Sequence, residues 1–222
     1  CCFVQNSENL QFLIDNKLVK REKCKLIPGS GVNLEHFKIL PYPNKDENIK
    51  FLFISRIMKE KGIEQYLEAA KVIKEKYKNT EFHILGFCEQ EYEEMLKKLT
   101  NDGVINYHGL KKDVIPFLRD ASCLIHPSYY PEGMSNVLLE ASASGRPAIT
   151  TNRSGCREIV EDEKTGYIID IKNSQQLIKK IEDFIKLSNE QRKQMGLEAR
   201  KKVEREFDRN IVVNEYLKEM KI

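Results

Sequence analysis

The chain has 222 residues and is 41% hydrophobic, which is enough for a substantial globular core and excludes a largely disordered protein. Its 37 basic and 34 acidic residues leave a net charge of +3, so charge gives no support to a nucleic-acid-binding role. No stretch of about 18 apolar residues could span a bilayer, and the six cysteines show no paired spacing. We therefore expect a cytoplasmic protein without disulfides or a zinc site.

The first forty residues predict one β-α-β unit, with a strand ending at 3–5, a helix over 8–19 and a strand over 25–28. The last strand runs into Gly-Ser-Gly-Val-Asn at 29–33. Paired glycines permit a backbone turn that other residues cannot make, so Gly31 is a candidate for close approach to a ligand. An ordinary flexible turn explains the same residues equally well. Residues 34–48 carry two prolines and many polar side chains, which is typical of a linker.

From Ile49 onward, short apolar runs alternate with amphipathic helices. Strands are predicted over 49–54, 81–85, 104–107, 122–125, 148–151 and 167–169. Helices are predicted over 63–77, 89–100 and 113–121, within a central segment at 127–145, as a turn over 157–161, and over 175–187, 190–205 and 209–221. Such alternation forces parallel pairing with right-handed crossovers. The sequence therefore predicts an α/β fold with a doubly wound parallel sheet and C-terminal helices.

The central segment, residues 127–145, reads PSYYPEGMSNVLLEASASG and joins a buried strand to a helix. Ser135 is the expected N-cap and Gly145 the expected end of this helix. The first amides of a helix have no partner within it and lie at its positive end, so we expect an anion near Asn136 and Val137. In open α/β sheets, ligands bind at this edge.

Two carboxylates bracket the start of this helix, Glu132 in the loop and Glu140 about a turn inside the helix. Carboxylates beside an anion site are explained if they accept hydrogen bonds from neutral hydroxyls of the same ligand. A sugar nucleotide has this layout, since hydroxyls flank its diphosphate. The alternative is that Glu132 is a solvated loop acid and Glu140 a helix-surface acid.

The loop at 55–62, SRIMKEKG, leaves the first strand of the regular block at the same edge of the sheet. Arg56 and Lys61 could neutralise a departing nucleoside diphosphate through charge-assisted hydrogen bonds. As an isolated pair they would more often be ordinary surface charges. No two aspartates lie two positions apart, so the Asp-x-Asp pair that holds a divalent cation in other sugar-nucleotide enzymes is missing. We expect no metal, with the two basic side chains in its place.

These strings together resemble the family-4, or group 1, glycosyltransferases, which share the two-domain GT-B fold. EGMSNVLLE matches their E-x7-E signature, with PSYYPEG before it and EASASGRPAI after it, and the loop at 55–62 matches R-x4-K-G. The resemblance implies a remnant of the N-terminal domain with the hinge at 1–40, a linker at 41–48, and a sugar-nucleotide-binding domain with C-terminal helices at 49–222. It also implies that the chain is part of a longer enzyme.

The resemblance assigns roles to particular residues. The implied catalytic residues are Arg56, Lys61 and Glu132, which hold the donor diphosphate and the transferred sugar. The implied donor-binding residues are these three together with Gly31, His108, Gly109, Gly133, Met134, Ser135, Asn136, Val137 and Glu140. At 108–109 the backbone would read the base, while the His108 side chain is an incidental loop-edge group. The reaction would retain configuration, with the leaving phosphate taking the acceptor's proton, so neither a side-chain nucleophile nor a cofactor is expected.

The implied activity is transfer of a hexose or N-acetylhexosamine from a nucleotide-diphosphate sugar, with UDP expected, to a saccharide or lipid-linked saccharide. The members that the chain resembles build capsule, O-antigen or lipid-linked oligosaccharides. The expected partner is the enzyme's own N-terminal domain, without which the fragment should be inactive. Two alternatives are a sugar-nucleotide-binding module and a GT-B UDP-sugar 2-epimerase. A modest basic excess at 192–202 favours a solvated helix face and leaves peripheral contact with the inner face of the membrane as an alternative.

Overall fold

The computed structural model describes residues 1–88 and 90–220. A small first unit consists of strand β1 (Cys2–Val4), helix α1 (Ser7–Asp15) and strand β2 (Cys24–Leu26), with the two strands paired in parallel. The sequence predicted this unit, but α1 ends sooner than the helix predicted over 8–19. Lys17 takes a positive φ of 55°, and the amide of Leu18 reaches back to the carbonyl of Leu13 at 3.0 Å. This hydrogen-bond pattern closes a helix.

The main sheet has six strands within the described residues, and all of them pair in parallel. They are β3 (Ile49–Ile54), β4 (Thr80–Leu85), β5 (Asn106–Tyr107), β6 (Cys123–His126), β7 (Ala148–Thr151) and β8 (Gly166–Ile169). Their spatial order is β5-β4-β3-β6-β7-β8, and Phe51 of β3 pairs with Phe82 of β4 and Cys123 of β6. The chain builds outward from β3 and then returns to its other side at β6. The topological switch point therefore lies between β3 and β6.

Helices cover both faces of this sheet, which confirms the predicted doubly wound fold with C-terminal helices. In chain order they are α2 (Ile63–Lys76), α3 (Gln90–Asn101), α4 (Ile115–Asp120), α5 (Asn136–Ala143), α6 (Ser174–Lys186), α7 (Asn189–Glu206) and α8 (Arg209–Met220). The helix predicted over 89–100 begins at Glu89, and the helix predicted over 209–221 ends at Lys221. Both of these end residues lie outside the described residues.

The predicted turn of helix over 157–161 is wrong. Residues 154–159 form hydrogen-bonded turns instead. The Glu158 carboxylate accepts hydrogen bonds from the amide of Gly155 at 2.7 Å and the hydroxyl of Ser154 at 3.1 Å. The amide of Glu161, however, donates to the hydroxyl of Thr165 at 2.8 Å, so the chain leaves the helical hydrogen-bond pattern before the end of the predicted turn.

Two apolar layers fix the sheet between its helices. On one face Phe51 and Phe82 pack beneath α2, α3 and α6, and the buried Tyr66 donates its hydroxyl to the carbonyl of Phe51 at 2.9 Å. On the other face Leu52 and Leu124 pack against α4, α5 and α7. Full burial of each such side chain stabilises the fold by about 1.5–3 kcal/mol. The loops at the carboxyl edge therefore stand on a rigid frame.

The predicted linker at 41–48 contains no helix or strand in the described chain, but its first part is firmly held. The buried guanidinium of Arg146 donates to the backbone carbonyls of Leu40, Pro41, Leu118, Arg119, Ser144 and Gly145. The hydroxyl of Tyr42 donates to the carbonyl of Ser122 at 2.8 Å. Residues 40–43, called the strap below, are thus fastened to α4 and to the end of α5.

Helix α8 returns to the first unit. Lys25 of β2 pairs with Glu215 at 3.0 Å and Glu219 at 2.8 Å. The glycine-containing turn at 29–33, called the hinge below, lies against the start of α8, where the amide of Arg209 donates to the carbonyl of Val32 at 3.0 Å. Gly31 has a φ of +66°, and a Cβ there would lie 2.6 Å from the Cα of Arg209. Only glycine permits this conformation and approach without strain, so the hinge can pack directly on α8. No helix among residues 1–88 and 90–220 is long and apolar enough to cross a membrane.

Candidate functional site

The candidate site lies at the switch point, where β3 and β6 end side by side. The loop at 55–62 leaves β3, and residues 127–135 lead from β6 into α5. The amides of Tyr129 and Tyr130 both donate to the carbonyl of Glu60, at 2.9 and 3.0 Å, and the amide of Ser135 donates to the carbonyl of Gly155 at 2.8 Å. The loops at 55–62, 127–135 and 152–160 therefore form one cross-linked surface, which we call the rim.

Gly62 shows how the R-x4-K-G loop reaches its neighbour. Its φ is +79°, and a Cβ at this position would lie 2.2 Å from the carbonyl oxygen of Pro127. A left-handed conformation and a close backbone approach both require glycine. The consequence is that Lys61 is held directly beside the loop that follows β6.

Lys61 and Glu132, predicted from separate loops, meet in an ion pair in which the ammonium donates to Oε1. Lys61 is only 9% exposed, and its Nζ lies 4.6 Å from the centre of the Tyr130 ring. The exposed Arg56 places its guanidinium over the same ring at 5.7 Å. Both basic side chains therefore share one patch with an acid, and Tyr130, which the sequence analysis did not single out, lies between them.

The charge state of Glu132 is set by its neighbours. Burial alone would raise its pKa, but His126 and Lys61 outweigh burial and hold the pKa of Glu132 at about 2. The buried His126 has its Nε2 3.8 Å from Glu132 Oε1 and 3.2 Å from Ser135 Oγ. Burial lowers the pKa of His126, so the imidazole is neutral near pH 7. Sequence reasoning missed His126, for which the only signal was its place just before Pro127.

Helix α5 begins with Ser135 at the N-cap position, as predicted. Its hydroxyl, however, pairs with His126, and no side-chain capping bond is formed in this part of the described chain. The first amides of α5, at Asn136 and Val137, are therefore not capped by Ser135. The positive end of the helix opens beside the Lys61–Glu132 pair.

Glu140 occupies a different environment one turn further along α5. It lines a cavity of about 220 Å³ together with Gly31, Asn136, Ser30 and Arg209. The described residues offer its carboxylate neither a hydrogen bond nor an ion pair, and burial raises the pKa of Glu140 to about 6. Ser30 contacts Asn136 with 2.8 Å between Oγ and Oδ1. The structure thus brings the predicted residues Gly31, Asn136 and Glu140 together.

Gly133 and Met134 lie in the part of the rim that leads into α5, and they present backbone groups there. The Met134 side chain is buried in the apolar layer beneath α5, where it packs against Gly29. The half-buried Val137 side chain packs against the same layer. Only the backbone groups of these residues are therefore placed to meet a ligand at the rim.

His108 and Gly109 are not brought into contact with the charged patch. The His108 ring stacks on His83, with 5.2 Å between centroids and 2.9 Å between Nε2 and His83 Nδ1. Burial, followed by His83, lowers the pKa of His108. Across the described ranges, no hydrogen bond or ring contact joins His108 to Arg56, Lys61 or Glu132. Base recognition by the backbone at 108–109 stays a prediction.

Residues 1–88 and 90–220 contain no group of three or more His, Cys, Asp or Glu side chains that could hold a metal ion. Among the thiols, Cys156 is fully buried near the rim, and burial raises its pKa to about 12. It is therefore a core group rather than a reactive one.

Comparison with known proteins identifies the family. Residues 36–202 match the glycosyl transferases group 1 family, so the chain belongs to the group 1 glycosyltransferases. It is 27% identical over 227 residues to N,N'-diacetylbacillosaminyl-diphospho-undecaprenol alpha-1,3-N-acetylgalactosaminyltransferase of Campylobacter jejuni. It is 28% identical over 226 residues to the capsular polysaccharide biosynthesis glycosyltransferase CapM of Staphylococcus aureus. These alignments cover 96% and 94% of this chain but only 58% of each relative.

Solved structures agree on the fold. HepE of Anabaena in complex with UDP superposes with a TM-score of 0.83 at 18% identity, over 98% of this chain and 62% of that one. The C-terminal domain of the group 1 family protein LpcC from Francisella tularensis gives 0.68 at 26% identity, over 80% of this chain and 99% of that one. The predicted family and the Rossmann-like, GT-B type of sheet are therefore confirmed.

Proposed function

We propose that this chain is the donor-binding part of a retaining glycosyltransferase, and that its rim binds a nucleoside diphosphate sugar with UDP as the nucleotide. The observation that carries the proposal is the meeting of Lys61 and Glu132 at the uncapped start of α5, built from loops on both sides of the switch point. The Anabaena structure with UDP supports the choice of nucleotide. The Campylobacter and Staphylococcus relatives support a lipid-linked or other saccharide acceptor.

The diphosphate is the group that the basic side chains and helix amides suit. Arg56, Lys61 and the amides of Asn136 and Val137 donate to its oxygens, each charge-assisted bond contributing about 1.5–3 kcal/mol. Negative charge grows on the leaving phosphate as its bond to the sugar breaks, and these donors stabilise that charge. The leaving phosphate takes the acceptor's proton, so the reaction needs no nucleophilic side chain.

The two carboxylates serve the hydroxyls at the two ends of the donor. Glu132 stays ionised because its pKa is about 2, which makes it a strong acceptor for the transferred sugar's hydroxyls. Glu140 has no protein partner in the described chain and lines a cavity, so the ribose hydroxyls can supply its hydrogen bonds.

Calorimetry of the chain with UDP, GDP and ADP tests the proposal. UDP should bind, and Arg56→Ala should weaken binding by about tenfold, the cost of one charge-assisted contact. Arg119→Ala is the matched control, since it removes an exposed arginine of α4 whose one ion pair among the described residues is with the neighbouring Asp120, and it should leave binding unchanged. Flat isotherms for all three nucleotides would overturn the assignment.

Transfer is expected to need more than this chain, which spans 58% of the length of its Campylobacter and Staphylococcus relatives. With a UDP-N-acetylhexosamine and a saccharide acceptor, the chain should bind the donor and form no product. Product formation by the chain alone would contradict this expectation. Epimerisation of the sugar without an acceptor would favour the alternative reaction class.

A further inference from the structure

Asn6, at the start of α1, joins the first unit to the rim through a buried side chain. It is 2% exposed. Its Oδ1 accepts a hydrogen bond from the amide of Asn9 at 2.8 Å, so it is the N-cap of α1. Its Nδ2 donates to the carbonyls of Glu132 at 3.0 Å and Gly133 at 2.8 Å. One amide group therefore caps a helix and holds two consecutive peptides of a loop more than a hundred positions away.

The two captured carbonyls determine where the neighbouring N–H groups point. A trans peptide places its N–H opposite its C=O, so the amides of Gly133 and Met134 point away from Asn6. Within the described residues, neither amide has a hydrogen-bond acceptor. Buried or half-buried amides are nearly always paired, so two unpaired amides in succession mark a place for an outside acceptor.

We propose that Asn6 is a positioning residue that fixes the backbone at 132–134, so that the amides of Gly133 and Met134 donate to the bound donor and the Glu132 side chain keeps its direction. This inference rests on the proposed function of the rim. It adds two backbone donors to those at the start of α5. It also makes the first unit part of the donor site.

The ion pairs between the first unit and the rim do not explain the orientation of these peptides. Glu8 pairs with Arg157 at 2.6 Å and more distantly with Arg153 at 3.8 Å, but all three side chains are about a third exposed or more. Exposed pairs of this kind contribute only about 0–1 kcal/mol. They hold the two parts together, whereas the Asn6 side chain is buried and acts directly on the peptides at 132–134.

The chemistry of asparagine separates its two roles. An aspartate at position 6 can still accept from the amide of Asn9 and cap α1, but as a carboxylate it has no hydrogen to donate to the carbonyls. Asn6→Asp therefore removes the positioning bonds and keeps the cap. Asn173 is a control for the cap, because it caps α6 through an equivalent bond to the amide of Gln176 at 2.9 Å and, within the described part of the chain, makes no hydrogen bond to the rim.

The experiment measures UDP affinity by calorimetry and the amide signals of Gly133 and Met134 by NMR, in the wild type, Asn6→Asp and Asn173→Asp. Asn6→Asp should weaken UDP binding by about fivefold to tenfold and shift both amide signals. Asn173→Asp should stay within about twofold of the wild type, since it changes the cap of α6 and leaves the rim untouched. Circular dichroism and thermal unfolding verify that α1 and the fold persist in each variant.

Unchanged UDP affinity in Asn6→Asp would overturn the proposal, including the case in which only thermal stability falls, because the residue would then merely attach the first unit. If the wild type itself binds no UDP, the proposed function fails. The positioning role is then decided by the amide signals alone: displaced signals in Asn6→Asp but not in Asn173→Asp support it, and unmoved signals reject it.

Discussion

The two glutamates of the E-x7-E pair lie in opposite electrostatic surroundings. Glu132 is crowded by Lys61 and His126, which hold its pKa at about 2. Glu140, eight positions later, faces a cavity lined by Ser30 and Gly31 and forms no ion pair with any described residue, and burial raises its pKa to about 6. The Glu132 carboxylate is neutralised by Lys61, whereas the Glu140 carboxylate is partly removed from water without a hydrogen bond or ion pair from the described residues.

This difference indicates how each region changes when a ligand arrives. Under the proposed function, a diphosphate would compete with the Glu132 carboxylate for Lys61, and binding would exchange one ion pair for another. At Glu140 a ligand hydroxyl would supply a missing hydrogen bond, and binding would add an interaction. Ligand affinity at Glu132 should therefore depend on the balance of charges around Lys61, and ligand affinity at Glu140 should depend on whether that carboxyl group is ionised.

The largest expected effect comes from Lys61→Ala, which removes the ligand's cation and leaves Glu132 half-buried without its partner. UDP affinity should fall by about 100-fold, as when one member of a buried charge pair is truncated. The pKa of Glu132 should rise from about 2 in the same variant. Calorimetry and carboxyl NMR measure the two quantities.

The control for this change is Lys59→Ala in the same loop, where the lysine is exposed and its contact with Glu64 is 3.8 Å long. It should bind UDP like the wild type. Equal losses in the two variants would mean that general positive charge, and not the Lys61–Glu132 pair, attracts the ligand.

Glu132→Gln should have the next largest effect, and its sign should depend on the ligand. UDP alone should bind about threefold to fivefold more tightly, because Lys61 no longer shares its charge with a carboxylate. A UDP-sugar should lose that gain, since the charged acceptor for the sugar's hydroxyls is gone. Glu60→Gln, an exposed carboxylate of the same rim, is the control, and parallel changes for UDP and UDP-sugar would contradict the exchange of ion pairs.

The pH dependence of binding should report Glu140. Its ionised form accepts hydrogen bonds from ligand hydroxyls, so affinity should fall as pH drops through about 6. Between pH 7.5 and 5.5 the ionised fraction falls by about fourfold, and UDP affinity should follow it. Titrations of Glu140→Gln at the same pH values cancel the protonation of UDP itself. A pH profile with the same slope in both proteins would place the responsible group elsewhere.

The smallest expected effect is on stability. Because the pKa of Glu140 is raised in the folded state, its ionised form costs stability above about pH 6, and this cost disappears as pH falls toward the ordinary carboxyl range. Glu140→Gln should therefore raise the free energy of unfolding at pH 7.5 by about 1 kcal/mol, after allowance for partial solvent exposure. Urea unfolding should show that advantage falling to less than half at pH 5 and vanishing near pH 4, below the ordinary pKa of a glutamate. An equal advantage at both pH values would assign it to packing.

Much of the rim could be predicted because parallel strands bring their carboxyl ends to one edge. This rule alone places Arg56 and Lys61, after β3, beside Glu132, after β6. The resemblance to the E-x7-E and R-x4-K-G motifs of the family then gave each of these residues an expected role. What the rule does not give is the pairing of Lys61 with Glu132, since each was predicted to serve a different part of the ligand.

The residues that sequence reasoning missed act through contacts that leave no periodic signal. Asn6 reaches carbonyls 126 and 127 positions away, a relation set by how the first unit packs. His126 lies in a buried strand, and nothing in the sequence separates it from other core residues. Its role becomes visible only through its contact with the hydroxyl of Ser135. The turn of helix predicted over 157–161 does not form, because the amide of Glu161 donates to the hydroxyl of Thr165.

Arg146 should hold the two parts of the chain together after limited proteolysis. The strap is bound to α4 and to the end of α5 through this buried guanidinium and through hydrogen bonds from Tyr42 and Leu40, while residues 44–48 just beyond it are exposed. Trypsin should therefore cut after Lys45 without releasing a fragment. The nicked halves should migrate together until a denaturant separates them.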